Sequence, residues 1–155
     1  MSVRVIDGDL FDTKAKYICH QVNCKGKMGS GVAKQIRDKY PEVYSAYRLE
    51  CNLFDEQGFP KSLMGIILPV QADDGKVIIN MFAQNNYGYD GACYTDYRAF
   101  QMCLIEIAEL LPEGSAIAMP YRIGCGLGGG DWSTIETLIT KYLGKKFDVE
   151  LWKRG

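Results

Sequence analysis

Two glycine-rich segments of this 155-residue chain have the composition of loops that bind phosphate. The first, residues 23–33, follows a β-rich stretch, contains Gly26, Gly29 and Gly31, and leads into a helical pattern. Glycine lets the backbone approach a ligand closely, and a helix start presents unpaired N–H groups with a partial positive charge. The second segment, residues 122–130, also lies between a strand pattern and a helix pattern. Two such segments predict a site for two phosphate groups.

The spacing of residues excludes the common nucleotide motifs. Gly26-Lys27 lacks the preceding glycine of a Walker A motif and the Ser or Thr that follows its lysine. The glycines of the first segment are spaced GxxGxG, whereas a dinucleotide fingerprint requires GxGxxG. No CxxC pair is present and His20 is the only histidine. We therefore expect no metal site and no cofactor.

Composition and charge are those of an ordinary globular protein, with 47% hydrophobic and 24% charged residues. The length predicts one domain over residues 1–155. The net charge of −1 argues against a broad nucleic-acid surface, which would need an excess of Lys and Arg. We find no apolar run of membrane-spanning length and no signal-peptide core, so we expect no membrane contact and a cytoplasmic protein whose six cysteines are reduced.

Strand and helix patterns alternate along the chain, which predicts an α/β domain with a mixed sheet covered on both faces. We expect strands at 3–6, 17–22, 63–70, 76–82, 116–119 and 147–152, and helices at 31–40, 41–51, about 95–111 and about 132–143. Residues 52–62 read as a loop, the third and fourth strands as a hairpin, and the last strand as the one that closes the sheet. Ligands of such sheets bind at carboxyl ends of strands, where both glycine-rich segments begin.

Several motifs, in order and spacing, resemble those of the macrodomain superfamily. They are Gly8-Asp9-Leu10, His20-Gln-Val-Asn-Cys24, Met28-Gly-Ser-Gly-Val-Ala33 and Met119-Pro-Tyr-Arg-Ile-Gly-Cys-Gly-Leu127. The resemblance covers essentially the whole chain. It is strongest to the branch that contains the terminal ADP-ribose protein glycohydrolase and relatives of the yeast ADP-ribose-1″-phosphate phosphatase. It implies a three-layer α/β/α fold with about six strands, and ADP-ribose or an ADP-ribosylated macromolecule as ligand.

The resemblance also implies where each part of ADP-ribose binds. Asp9 would accept a hydrogen bond from the adenine amino group, the backbone at Leu10 would meet the ring, and Asn23 would contact the distal ribose. Trp152 would stack on adenine, with a core aromatic on an edge strand as the alternative. The diphosphate would lie between two rows of residues: Gly29, Ser30, Gly31 and Val32 on one side, and Gly124, Cys125, Gly126, Leu127 and Gly128 on the other.

His20 and Asp131 are the candidates for catalysis at the distal ribose. Histidine can exchange a proton near neutral pH, and an aspartate can activate water. Each has a structural alternative: His20 is a packed, hydrogen-bonded core histidine, and Asp131 is the N-cap of the helix that starts at Trp132. Cys24 and Cys125 have no base beside them in sequence and are interpreted as small core residues.

Two positions depart from the glycohydrolase branch, which the resemblance implies uses a lysine nucleophile and an aspartate. Gln84 and Gly128 occupy these positions. Glutamine cannot form the adduct that an amine forms and glycine supplies no base, so we do not expect lysine-dependent deglycosylation. Three functions remain: hydrolysis of a C1″ phosphate or an acyl or ADP-ribosyl ester, non-catalytic reading of ADP-ribose, and, with less support, binding of another nucleotide such as NAD.

Overall fold

A six-stranded sheet forms the centre of the computed structural model, which describes residues 1–154. The strand order is β1-β6-β5-β2-β4-β3; all neighbouring pairs are parallel except β3 and β4. The strands are β1 (Val3–Asp7), β2 (Tyr17–Asn23), β3 (Ile67–Gln71), β4 (Val77–Gln84), β5 (Ala116–Pro120) and β6 (Asp148–Lys153). The mixed sheet and the β3–β4 hairpin are confirmed.

Four α-helices cover the two faces of the sheet: α1 (Gly31–Lys39), α2 (Pro41–Glu56), α3 (Tyr97–Leu110) and α4 (Trp132–Leu143). Helices α3 and α4 bury apolar residues in one core with Cys19 and Ile79 of the sheet. Helices α1 and α2 pack on the opposite face, where Ile18 and Ile78 belong to a second core. Successive strand residues point to opposite faces, so β2 and β4 supply both cores. The structure confirms the three-layer α/β/α architecture.

Three boundaries differ from the expectations. Helix α2 continues to Glu56 because Phe54 keeps the helical period and packs on the core, so part of the expected loop 52–62 is helix. The third strand begins at Ile67 and not at residue 63, since Gly65 has a φ of 87° and interrupts an extended chain. Strand β6 does not close the sheet: it lies between β5 and β1, and the edge strands are β1 and β3.

The connections after β2 and β5 determine where a ligand can bind. These strands are parallel neighbours, and the chain leaves β2 toward α1 on one face and β5 toward α4 on the other. A crevice opens at the carboxyl ends of parallel strands whose connections diverge in this way. The two glycine-rich segments are the first residues of these two connections. No helix within residues 1–154 is long and apolar enough to cross a membrane.

Candidate functional site

A cavity of about 560 Å³ lies between the two glycine-rich segments. Sites for small molecules typically have volumes of about 300–1,000 Å³. The cavity brings together most of the residues that the sequence suggested for ligand binding: His20, Asn23, residues 29–32, Gly124, Gly126, Leu127 and Gly128. Asp9, Leu10, Cys125, Asp131 and Trp152 lie outside its lining.

The N-terminus of α1 presents backbone donors to the cavity. Ser30 precedes the helix with an extended backbone, and its side chain makes no capping hydrogen bond. The N–H groups of Gly31, Val32 and Ala33 have no acceptor within the helix because they belong to its first turn. All three residues line the cavity. The free donors and the positive end of the helix dipole favour an anion at this position.

Asn23 fixes the shape of the first glycine-rich segment. Its Oδ1 accepts hydrogen bonds from the backbone N–H of Lys25 at 2.9 Å and from the hydroxyl of Tyr47 at 2.8 Å. Its Nδ2 donates to the carbonyl of Lys27 at 2.8 Å. The side chain is buried, and these bonds tie the end of β2 to the loop that leads into α1. Its contact with a ribose stays a prediction.

The second glycine-rich segment folds on its own backbone. The N–H of Gly130 donates to the carbonyl of Gly124 at 2.9 Å, and the N–H of Gly129 donates to that of Gly126 at 3.0 Å. Four other N–H groups make no hydrogen bond within residues 1–154; they belong to Gly124, Gly126, Leu127 and Gly128. All four of these residues line the cavity. The cavity therefore has backbone donors on two sides, as two phosphate groups require.

A set of side-chain hydrogen bonds holds the second segment against β2 and β4. Gln21 Nε2 donates to Gln84 Oε1 at 2.7 Å and to Thr95 Oγ1 at 2.8 Å. The Thr95 hydroxyl donates to the carbonyl of Gly124 at 2.7 Å. A Cβ on Gly128 would lie 2.8 Å from both Thr95 Oγ1 and the Gly124 carbonyl oxygen. Only glycine fits at position 128 without a shift of this network.

His20 lies in β2 with its ring buried beneath the cavity. Its Nε2 is 2.6 Å from Asn80 Oδ1. Asn80 Nδ2 donates to the carbonyl of Leu68, so Oδ1 is the acceptor toward His20 and His20 Nε2 carries the proton. Nδ1 then has a free lone pair, and it has no partner within residues 1–154. Burial lowers the pKa of His20 to about 4, which keeps the ring neutral at physiological pH.

Asp9, Leu10 and Trp152 lie together at the carboxyl ends of β1 and β6. Asp9 Oδ1 accepts the N–H of Phe11 at 3.0 Å and caps a short 3-10 helix, as a turn-forming aspartate does. Trp152 Nε1 donates to Glu150 Oε1 at 2.9 Å, and a Cβ on Gly8 would lie 3.1 Å from the indole ring. Trp152 packs against the core residue Leu10, as a core aromatic does, but its strand β6 is an interior strand and not an edge strand. Adenine recognition by these residues stays a prediction.

Asp131 is the N-cap of α4. Its Oδ2 accepts hydrogen bonds from the backbone N–H of Thr134 at 3.0 Å and from the Thr134 hydroxyl at 2.9 Å. These bonds hold the pKa of Asp131 below its usual value, which makes the carboxylate a weaker base. Its position outside the cavity lining agrees with the capping interpretation, and its catalytic role stays a prediction.

Cys24 is a core residue, and Cys125 is partly buried and packs against the core. Cys24 is buried among apolar side chains under α2, and Cys125 Sγ donates to the carbonyl of Ile123 at 3.5 Å. Burial raises the pKa of both thiols, so neither is an activated nucleophile. Across residues 1–154, no three His, Cys, Asp or Glu side chains cluster in a way that could hold a metal ion.

Comparison with solved structures and with curated proteins identifies the fold and the family. A macrodomain protein from Streptomyces coelicolor superposes with a TM-score of 0.77 and 25% sequence identity, covering 99% of this chain and 100% of that chain. The ADP-ribose 1″-phosphate phosphatase of Aspergillus oryzae is 39% identical, and the alignment covers 84% of each protein. The chain belongs to the macrodomain family. No protein-family model matches it.

This macrodomain also matches part of a longer protein. The DNA ADP-ribosyl glycohydrolase of Mycobacterium tuberculosis is 31% identical over 144 residues, which are 92% of the chain. The chain spans only 39% of the length of that relative.

Sequence reasoning missed several polar side chains of the macrodomain site. The sequence suggests Thr95 or Asp96 as the N-cap of α3, and the structure shows Asp96 in that role. The parts that Gln21, Thr95 and Asn80 play at the cavity are not predicted, although a polar residue inside an apolar strand, such as Asn80 in β4, is a usable signal. Arg122 lines the cavity, and the sequence indicated it only as a member of the motif at residues 119–127. Gln84 was noted as a departure from relatives, and the structure shows that it lines the cavity and holds Gln21.

Proposed function

We propose that this macrodomain binds ADP-ribose in the cavity and hydrolyses ADP-ribose-1″-phosphate to ADP-ribose and phosphate. The observation that carries the binding proposal is the pair of donor rows, α1 on one side and residues 124–128 on the other, at one cavity. A diphosphate places acceptor oxygens on two sides, and each row supplies unpaired backbone N–H groups for one of them. We also propose a cytoplasmic location, since all six cysteines are free thiols.

The choice of reaction rests on the residues at two positions and on the relatives' names. One relative, 39% identical over 84% of each protein, is named an ADP-ribose 1″-phosphate phosphatase. The lysine nucleophile and the aspartate of the glycohydrolase branch have no counterpart in this chain. Gln84 is neutral, and Gly128 has no room for a side chain. Removal of a phosphate needs a positioned water and stabilisation of charge, and it needs no amine nucleophile.

His20 would position the attacking water. The Nε2–Asn80 hydrogen bond leaves its Nδ1 as an acceptor without a partner within residues 1–154; this atom is buried in the structure, so the role requires the cavity lining to shift when ligand binds and admit a water that donates a hydrogen bond to Nδ1. The pKa of about 4 makes His20 a weak base, so its contribution is orientation of the water more than removal of its proton. Tyr87 and Tyr89 also line the cavity and are exposed, which places aromatic rings at its mouth where the distal ribose would lie.

A non-catalytic reader of ADP-ribosyl groups is the second candidate function. It is favoured by one observation: among the residues that line the cavity, the sequence suggested only His20 as a base, and burial lowers the pKa of His20 to about 4. A reader would retain the two donor rows and would use the exposed tyrosines to contact whatever carries the ADP-ribose.

Phosphate release separates the two functions. Purified protein is incubated with ADP-ribose-1″-phosphate, and inorganic phosphate is measured against time, for wild type and for His20→Gln, which retains a donor toward Asn80. Turnover by the wild type, a lower kcat in the variant and unchanged ADP-ribose affinity would support the phosphatase. Binding without release of phosphate would leave the reader function.

A further inference from the structure

Arg122 has a backbone conformation that its side chain does not favour. It is the one non-glycine residue within residues 1–154 that has a positive φ, 62°. The same loop uses glycine at its other left-handed positions, Gly124 with φ 77° and Gly129 with φ 72°. An L-residue is strained in this region, and strained residues concentrate at functional sites. Glycine would relax the backbone at position 122, so the arginine side chain itself requires an explanation.

Within residues 1–154, the guanidinium of Arg122 has no partner. The side chain is exposed, and it forms no salt bridge and no hydrogen bond within residues 1–154. It lines the cavity, as does Lys27 on the opposite segment, and no Asp or Glu is among the lining residues. Burial raises the pKa of Cys125, and the positive charge of Arg122 opposes that rise. The charge of Arg122 is therefore felt at Cys125, in the middle of the second glycine-rich segment.

We infer that Arg122 recognises the charge of the diphosphate: its guanidinium donates to a phosphate oxygen beside the free N–H groups of residues 124–128. This inference rests on the proposed binding of ADP-ribose. Backbone amides contribute partial charges only, whereas a guanidinium contributes a full charge and a planar pair of donors that fits two oxygens. Arg122 therefore sets the preference for ligands with a diphosphate, and it makes binding sensitive to salt.

The test is calorimetric titration of ADP-ribose into four proteins: wild type, Arg122→Gly, Arg122→Lys and the control Arg98→Ala. Arg98 is an exposed arginine of α3 outside the cavity. We expect Arg122→Gly to bind ADP-ribose about tenfold more weakly (about 1.4 kcal/mol) while its melting temperature stays equal or rises, since glycine relieves the strained φ. Arg122→Lys retains the charge and should recover most of the affinity, and Arg98→Ala should match the wild type.

Salt dependence separates a charge contact from a change of loop shape. Titrations at about 0.01 M and about 1 M salt span screening lengths of about 30 Å to about 3 Å. Wild type and Arg122→Lys should lose affinity with salt more steeply than Arg122→Gly. Equal affinities and equal salt dependence of wild type and Arg122→Gly would overturn the inference and leave the proposed function intact. Absence of wild-type binding would instead refute the proposed function.

Discussion

Replacing Gly31 by glutamate tests whether phosphate binds at the start of α1. Gly31 is the first residue of the helix, lines the cavity and has no heavy atom within 4 Å of where a Cβ would be. A side chain there would project into open space beside the free N–H groups. The added carboxylate would occupy the position at which we place a phosphate, so Gly31→Glu should prevent binding through charge and bulk.

The expected losses of affinity and of folding free energy follow from the distance between the charges and from the backbone conformation of Gly31. Two like charges about 5 Å apart repel by about 3 kcal/mol at an effective dielectric constant of about 20, which corresponds to a loss of affinity of about 200-fold. Gly31 has a φ of 57°, so any L-residue costs about 1–2 kcal/mol of folding free energy. A glutamate recovers about 0.3–1 kcal/mol of this from the helix dipole.

Gly31→Ala is the matched control because it has the same backbone strain without the charge. In thermal unfolding we expect Gly31→Ala to melt about 2–8 °C below the wild type, and Gly31→Glu to show a smaller drop because of the helix dipole. In calorimetric titration with ADP-ribose, Gly31→Ala should lose less than about threefold in affinity, and Gly31→Glu should lose about 200-fold or more. Equal losses in the two variants would mean that backbone strain and not charge controls binding. Full affinity in Gly31→Glu would refute the placement of phosphate at α1.

Two further predictions concern packing and protonation. Gly128→Ala places a Cβ 2.8 Å from the Gly124 carbonyl oxygen and from Thr95 Oγ1, so it should lower the unfolding free energy by about 1–3 kcal/mol. The control Gly126→Ala has no heavy atom within 4 Å of its added Cβ and should melt like the wild type. Equal melting temperatures of the two variants would contradict the close packing at Gly128. The pKa of His20 falls from 6.5 to about 4 on burial, so the unfolded chain binds a proton at a higher pH than the folded protein. Its contribution to stability is therefore complete above about pH 6.5 and is lost as the pH falls toward about 4, and urea unfolding of His20→Gln should lack this part of the pH dependence.

Local sequence signals predicted the elements that form the site. The first glycine-rich segment and α1 are adjacent in sequence, so glycine spacing and helical period were sufficient to place a donor row at the start of the helix. The same reasoning placed the second segment after β5. Both segments follow carboxyl ends of strands, which permits them to face one cleft, but the pairing of β2 with β5 that brings them together is a finding of the structure.

Long-range pairings were beyond the reach of sequence patterns. The hydrogen bond between Gln21 and Gln84 joins residues 63 positions apart, and the bond from Gln21 to Thr95 spans 74. No periodicity encodes such contacts. The insertion of β6 between β1 and β5 is non-local in the same sense. The sequence does not predict the positive φ of Arg122, because the conformation of a loop depends on the whole turn and arginine rarely adopts a left-handed conformation.

Selective binding of ADP-ribose is the central claim, and calorimetric titration of the wild type with ADP-ribose, AMP, ADP and NAD tests it most directly. The two donor rows and the cavity of about 560 Å³ predict the tightest binding for ADP-ribose. AMP should bind more weakly because it reaches only one donor row, and ADP and NAD should fall below ADP-ribose because neither presents a diphosphate joined to a free distal ribose. Equal affinity for all four ligands, or no binding of ADP-ribose, would contradict the account.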